Sequence, residues 1–137
     1  MPDSGTVVVT GAGGFIGAHV VARLLTRFEP AKLACLVRRP EQARSLEASG
    51  VRVHIGDLRD RTLCEALCRD ARVVFHSAAR VHFGVGGKTR VDFERDNVEG
   101  TANLIDACPP TVGRFIYMSS INAVERARAP RVHPAAC

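Results

Sequence analysis

Thr6–Leu25 reads TVVVTGAGGFIGAHVVARLL, and its glycines govern the fold. A β-branched run breaks into glycines 11, 13, 14 and 17 and then resumes as an apolar stripe. Val7 to Val9 is a short continuous apolar run, the pattern of a strand covered on both faces. Ile16, Val20, Val21, Leu24 and Leu25 follow helical spacing, so strand gives way to helix across the glycines. The first amide groups of a helix have no intrahelical partner, and the helix dipole adds about half a positive charge there, so that mouth accepts an anion. Gly11 and Gly14 keep the turn free of side chains, as a pyrophosphate approaching main chain requires. Gly17, one turn into the helix, lets helix and strand pack closely.

The spacing Gly11-Ala-Gly-Gly14-Phe-Ile-Gly17 is Gly-x-x-Gly-x-x-Gly with Gly13 added, one residue longer between the outer glycines than the Gly-x-Gly-x-x-Gly of dinucleotide-binding turns. A glycine pattern alone is weak. Its place after a strand and before a helix, at the head of a series of such units, gives it weight. Lys32 to Val37 (KLACLV) predicts a second strand, followed by a helix with Pro40 in its first turn and Gly50 at its stop. Val51 to Gly56 predicts a third strand, Asp60 to Asp70 a helix with Leu63 and Leu67 on one face, and Arg72 to Ser77 a fourth strand. A glycine-rich loop, FGVGGKTR, then leads to a helix over about Phe93 to Cys108, and Gly113 to Ser120 predicts a fifth strand. Alternation of strands and helices implies an α/β fold: a doubly wound parallel sheet of Rossmann type, five strands in the order 3-2-1-4-5, with a ligand cleft where the order reverses.

The chain's 137 residues allow one domain, expected over residues 1–124 and followed by an irregular tail at 125–137. Apolar residues at 46% and charged residues at 24% suit a folded domain and exclude a disordered one. The net charge of +5 alone speaks for nucleic acid, but the 17 arginines are scattered and form no block, so no nucleic-acid partner is expected. Five cysteines, at 35, 64, 68, 108 and 137, include no Cys-x-x-Cys and no His pair at zinc spacing; they read as reduced core thiols, with no metal site. The uncharged run from Gly5 to Ala22 holds five glycines and His19, which argues against a membrane span, and the start MPDSG carries no basic leader, so the expectation is a cytoplasmic protein.

Five motifs in order, VTGAGGFIG (Val9 to Gly17), GDLRD (Gly56 to Asp60), HSAA (His76 to Ala79), NVEGT (Asn97 to Thr101) and FIYMSS (Phe115 to Ser120), make the chain resemble the extended branch of the short-chain dehydrogenase/reductase superfamily. That branch holds epimerases, dehydratases, hydroxysteroid dehydrogenases and dihydroflavonol-reductase-like enzymes; the resemblance spans about Thr6 to Val124. It implies a nicotinamide dinucleotide cofactor on Gly11, Gly13, Gly14, Phe15, Ile16 and Gly17. Asp57 would bind the adenine amino group, Leu58 would lie against the base, and Ser77, Ala78 and Ala79 would run beside the ribose. Asp57 also reads as an N-cap for the helix near Asp60. The residue ending the second strand meets the adenosine ribose, where an acid suits NAD and an arginine the 2′-phosphate of NADP. Arg38 and Arg39 stand there with no carboxylate before Glu41, which favours NADP over NAD; the pair also reads as two solvated arginines closing a strand. His76 reads as a packed strand residue. Asn97, Gly100 and Thr101 read as structural, with Asn97 tying its helix to a neighbour.

Ser120 matches the family serine that hydrogen-bonds a substrate carbonyl or hydroxyl; strand alternation would let only one of Ser119 and Ser120 face the cleft. Hydride chemistry in that family also needs a tyrosine with a lysine four residues on. The only tyrosine, Tyr117, has Ile121 four residues later, and the only lysines are Lys32 and Lys88, so no Tyr-x-x-x-Lys pair exists in these 137 residues. Family members are commonly more than twice as long. The expectation is therefore the N-terminal piece of an NADP(H)-dependent oxidoreductase or epimerase acting on a small carbonyl or hydroxyl substrate, C-terminally incomplete and without turnover of its own. The alternative is a dinucleotide-binding module or sensor without catalysis. An incomplete sheet edge would favour self-association.

Overall fold

The computed structural model describes residues 5–80 and 89–120. Five strands, β1 (Thr6–Thr10), β2 (Leu33–Val37), β3 (Arg52–Ile55), β4 (Ala71–His76) and β5 (Arg114–Tyr117), form one parallel sheet in the order β3-β2-β1-β4-β5. The helices are α1 (Phe15–Leu24), α2 (Ala43–Ala48), α3 (Arg61–Cys68), α4 (Arg90–Glu94) and α5 (Gly100–Asp106). Crossover connections keep neighbouring strands parallel and bring helices to both faces, which is why β1 and β2 read as unbroken apolar runs.

Both strands are buried at every position. Val7, Val9, Leu33, Cys35 and Val37 meet Val21 and Leu24 of α1 and Leu46 of α2 on one face. Val8, Ala34, Leu36 and Val74 meet Cys64, Leu67 and Cys68 of α3 and Leu104 of α5 on the other. Alternate residues of one strand thus serve two separate cores. Burial pushes the Cys35 and Cys68 thiols up to about 12 and Cys64 to about 11, so all three stay protonated at neutral pH and pack as small apolar groups.

Three elements differ from the sequence expectation, the first being the strand expected over Gly113 to Ser120, which ends at Tyr117. Lys32 ends a 3₁₀ turn, Pro30–Lys32, rather than starting β2, because proline at the head of that turn sets helical φ. The long helix expected from Phe93 to Cys108 begins earlier, at Arg90, with Thr89 and Asp92 forming a capping box, and a π-helical turn, Arg95–Glu99, divides it into α4 and α5. A periodicity argument carries no signal for the extra residue in such a turn. The tail expected at 125–137 and most of the glycine-rich stretch lie outside the described residues. Among those described, no helix is long and apolar enough to cross a membrane.

Candidate functional site

The carboxyl ends of β1, β2 and β4 open into a cleft of about 220 Å³ at the point where the strand order reverses. Gly11, Gly13 and Gly14 form one wall, Arg38, Asp57 and Leu58 a second, and Ser77 to Arg80 with Asp96 a third. Each glycine in the turn has a different task. Gly11 has φ of +67°, and a Cβ there would lie 2.8 Å from the Ala78 backbone nitrogen, so both the left-handed conformation and the pressing β4 loop require glycine. At Gly17 the conformation is ordinary, but a Cβ would meet the Gly11 carbonyl oxygen at 2.1 Å. Gly17 therefore lets α1 seat on its own turn.

Gly14 is different. It is the N-cap of α1, with extended backbone and no side-chain capping bond, and a Cβ there would meet only the Gly11 oxygen, at 3.3 Å. That single contact is tight but is the only one, so the packing restricts position 14 far less than position 17, and no side chain stands where the helix opens onto the cleft. The first turn of α1 contains no acidic residue either. Its amide groups and the positive end of the helix dipole face a wall without side chains, the arrangement that receives phosphate. At Gly13 the Gln42 side chain closes over the turn and donates from Nε2 to the Gly13 carbonyl at 3.3 Å.

The β4 side is fixed by a buried polar chain. Thr10 Oγ1 lies 2.6 Å from His76 Nδ1, and His76 Nε2 lies 2.8 Å from Thr101 Oγ1, so the imidazole bridges β1 and α5. Thr10 Oγ1 also accepts from the Ala78 amide at 3.3 Å, and the Ser77 hydroxyl donates to the Thr10 carbonyl at 2.7 Å. Burial lowers the His76 pKa to about 4, which leaves a neutral ring with one donor and one acceptor nitrogen. His76 is thus the packed strand residue its sequence suggests. Asn97 clamps the next segment, accepting from the Arg80 amide at 2.7 Å and donating to the Arg80 carbonyl at 2.9 Å.

Charge concentrates on the wall between β2 and the π turn. Asp57 accepts from the Arg59 amide at 2.9 Å and from Arg59 Nε at 3.0 Å, and Arg38 Nη2 stands 3.3 Å from its other oxygen. Partial burial pushes the Asp57 pKa up, but the Arg59 hydrogen bonds and the charges of Arg38 and Arg59 outweigh it and hold the carboxyl below its usual value. Asp57 does not cap α3: Asp60 does, accepting from the Leu63 amide at 3.1 Å, because it stands at the one position whose carboxylate reaches the first-turn amides.

Of the residues singled out from sequence, Gly11, Gly13, Gly14, Arg38, Asp57, Leu58, Ser77, Ala78 and Ala79 line one cleft. Leu58 does so from within the core, 7% exposed. Gly17 supports the turn from behind. Phe15 and Ile16 instead line an apolar hollow with His19 and Phe75, and Phe15 is 83% exposed. Ser119 and Ser120 both follow the end of β5 and are exposed, so strand alternation does not choose between them. Gln42, Arg80 and Asp96 also line the cleft without having stood out in the sequence, since each reads locally as an ordinary polar residue of a turn or helix face.

The model of the NAD dependent epimerase/dehydratase family matches residues 7–134. A 3 beta-hydroxysteroid dehydrogenase/Delta 5→4-isomerase of Mycobacterium tuberculosis is 35% identical over 130 residues, covering 89% of this chain and 33% of that protein. An uncharacterized membrane protein of Methanocaldococcus jannaschii is 34% identical over 124 residues, covering 87% of this chain and 37% of its own length. The solved structure of Thermus thermophilus UDP-glucose 4-epimerase in complex with NAD superposes with a TM-score of 0.64 at 34% identity, over 75% of this chain and 33% of that one. The chain thus spans about a third of the length of these relatives.

Proposed function

Because the chain belongs to the NAD dependent epimerase/dehydratase family, we propose that it is the dinucleotide-binding part of an oxidoreductase or epimerase that moves hydride between NADP(H) and a carbonyl or hydroxyl carbon of a small molecule. The observation that carries this reading is Gly14, the N-cap of α1, which carries no side chain and no side-chain capping bond where the mouth of that helix faces the cleft. A pyrophosphate suits that mouth by charge and by approach to main chain. The Asp57 carboxylate, kept ionised by its arginines, would accept from the adenine amino group, and the β4 backbone at Ser77 to Ala79 would run beside the ribose. Arg38, half exposed at the end of β2, is the group for a 2′-phosphate and favours NADP over NAD.

When bound, the nicotinamide supplies the hydride chemistry. Ser120 would hydrogen-bond and polarise the substrate oxygen. Within these 137 residues no Tyr-x-x-x-Lys pair supplies the proton, so the chain alone binds the dinucleotide without turnover; the same lack favours, as the second reading, a binding module or sensor. The protein acts in the cytoplasm on small molecules in this reading. Titrating NADPH and NADH by fluorescence tests it. NADPH should bind more tightly, and Arg38→Ala should cost NADPH about tenfold and remove its advantage. Failure of both to bind, or equal affinities unmoved by Arg38→Ala, would overturn the reading.

A further inference from the structure

Asp96 is a carboxylate whose side chain is only 5% exposed, yet three guanidinium groups reach it. It stands in the π-helical turn between α4 and α5, and such turns offset side chains that a regular helix would direct elsewhere. Arg80 donates to it from Nε at 2.6 Å, and Arg59 Nε lies 3.8 Å from its second oxygen. The third is Arg38. From the end of β2 its Nη2 crosses to within 3.4 Å of Asp96 Oδ2 while standing 3.3 Å from Asp57 Oδ2. One arginine is thus tied at once to the loop after β3 and to the helix that follows β4, and all three residues line the same cleft.

We propose that Asp96 is a specificity-determining residue for the dinucleotide: with Asp57 it latches Arg38 across the cleft and so competes with a 2′-phosphate for that arginine. The inference rests on the dinucleotide reading above. Its charge balance is direct. Arg38, Arg59 and Arg80 face Asp57 and Asp96, so the cluster keeps a single net positive charge where a phosphate dianion would bind. Asp96 is the more buried of the two carboxylates, hence the less screened, and its repulsion of a nearby phosphate survives where a surface charge would be masked. Arg80 holds the same Asp96 Oδ2 that Arg38 approaches, and this bond fixes the carboxylate when a ligand arrives. NAD, which lacks the 2′-phosphate, meets that repulsion only from farther along its backbone.

Asp96→Asn keeps shape and the acceptor for Arg80 while removing the charge. In the 137-residue chain, with thermal melting as the check on folding, this variant should bind NADPH about three to five times more tightly while NADH changes by less than about twofold. An NADPH to NADH ratio that is unchanged or falls, against a wild-type chain that binds, overturns the latch alone. Should Asp96→Asn fail to fold, Asp96→Ser, which also removes the charge and keeps an acceptor oxygen, carries the test: the latch predicts the same rise in the NADPH to NADH affinity ratio. A ratio unchanged or lower in Asp96→Ser overturns the proposal. A wild-type chain that binds neither dinucleotide overturns the function proposed above, and this inference with it.

Discussion

Replacing Gly17 by alanine sets two known effects against each other, and the structure decides the sign. Helix propensity by itself favours alanine inside α1 by about 1 kcal/mol. The new Cβ, however, would lie 2.1 Å from the Gly11 carbonyl oxygen and 2.9 Å from Ala12 Cα, more than 1 Å short of ordinary contact with the former. Neither atom belongs to a side chain that can rotate away, so α1 must lift off the turn. Forcing a group into a packed site costs about 1–3 kcal/mol when neighbours can adjust, and rigid main chain puts this case at or above the top of that range. The net loss is about 2–3 kcal/mol, a large share of a domain's stability, and lowers the melting temperature by about 8–12 °C. Gly14→Ala is the companion experiment. Its Cβ meets only one oxygen at 3.3 Å, so melting should fall by less than about 4 °C, while dinucleotide affinity drops about tenfold as the methyl group enters the phosphate path. Thermal denaturation and dinucleotide titration on both variants read the contrast. A Gly17→Ala protein as stable as wild type would refute the packing argument, and a Gly14→Ala protein with undiminished binding would refute the assignment of the helix mouth.

The pH dependence of stability carries a further signature of His76. Its native pKa, about 4, lies below the 6.5 of an ordinary histidine, so the unfolded chain takes up the proton first as pH falls. Stability is complete above about 6.5 and is lost on the way down to about 4, by at most about 3 kcal/mol. Urea denaturation at pH 7 and pH 4.5 should show this loss in wild type and a smaller one in His76→Gln; equal losses in both would contradict the assignment. Self-association is expected as well. Among the described residues β5 pairs only with β4, and Val98, Ile105 and Tyr117 are each more than half exposed, so sedimentation of the purified chain should reveal species larger than a monomer. A single monomeric boundary would remove that expectation.

Local patterns determined the fold. The runs around Val8 and Cys35 read as strands covered on both faces, and right-handed crossovers make neighbouring strands parallel; the order 3-2-1-4-5 is the one expected of a Rossmann-type sheet and the one observed. The glycine turn was legible for the same reason, since a strand, a turn that tolerates no side chains and a helix follow one another within twenty residues. Spacing gave Gly17 a packing task and Gly11 and Gly14 a bare turn, but tertiary structure alone identified the partners: a side chain at Gly17 would meet Gly11, and one at Gly11 would meet Ala78, contacts that neither spacing nor composition encodes. The same holds for Arg38, Asp57 and Asp96, which come from three elements and meet only because the sheet reverses its order beside them. Periodicity is set by each residue's near neighbours along the chain, whereas an ion cluster at strand ends depends on where distant segments stop. The π turn that places Asp96 in the cleft has no sequence period to announce it.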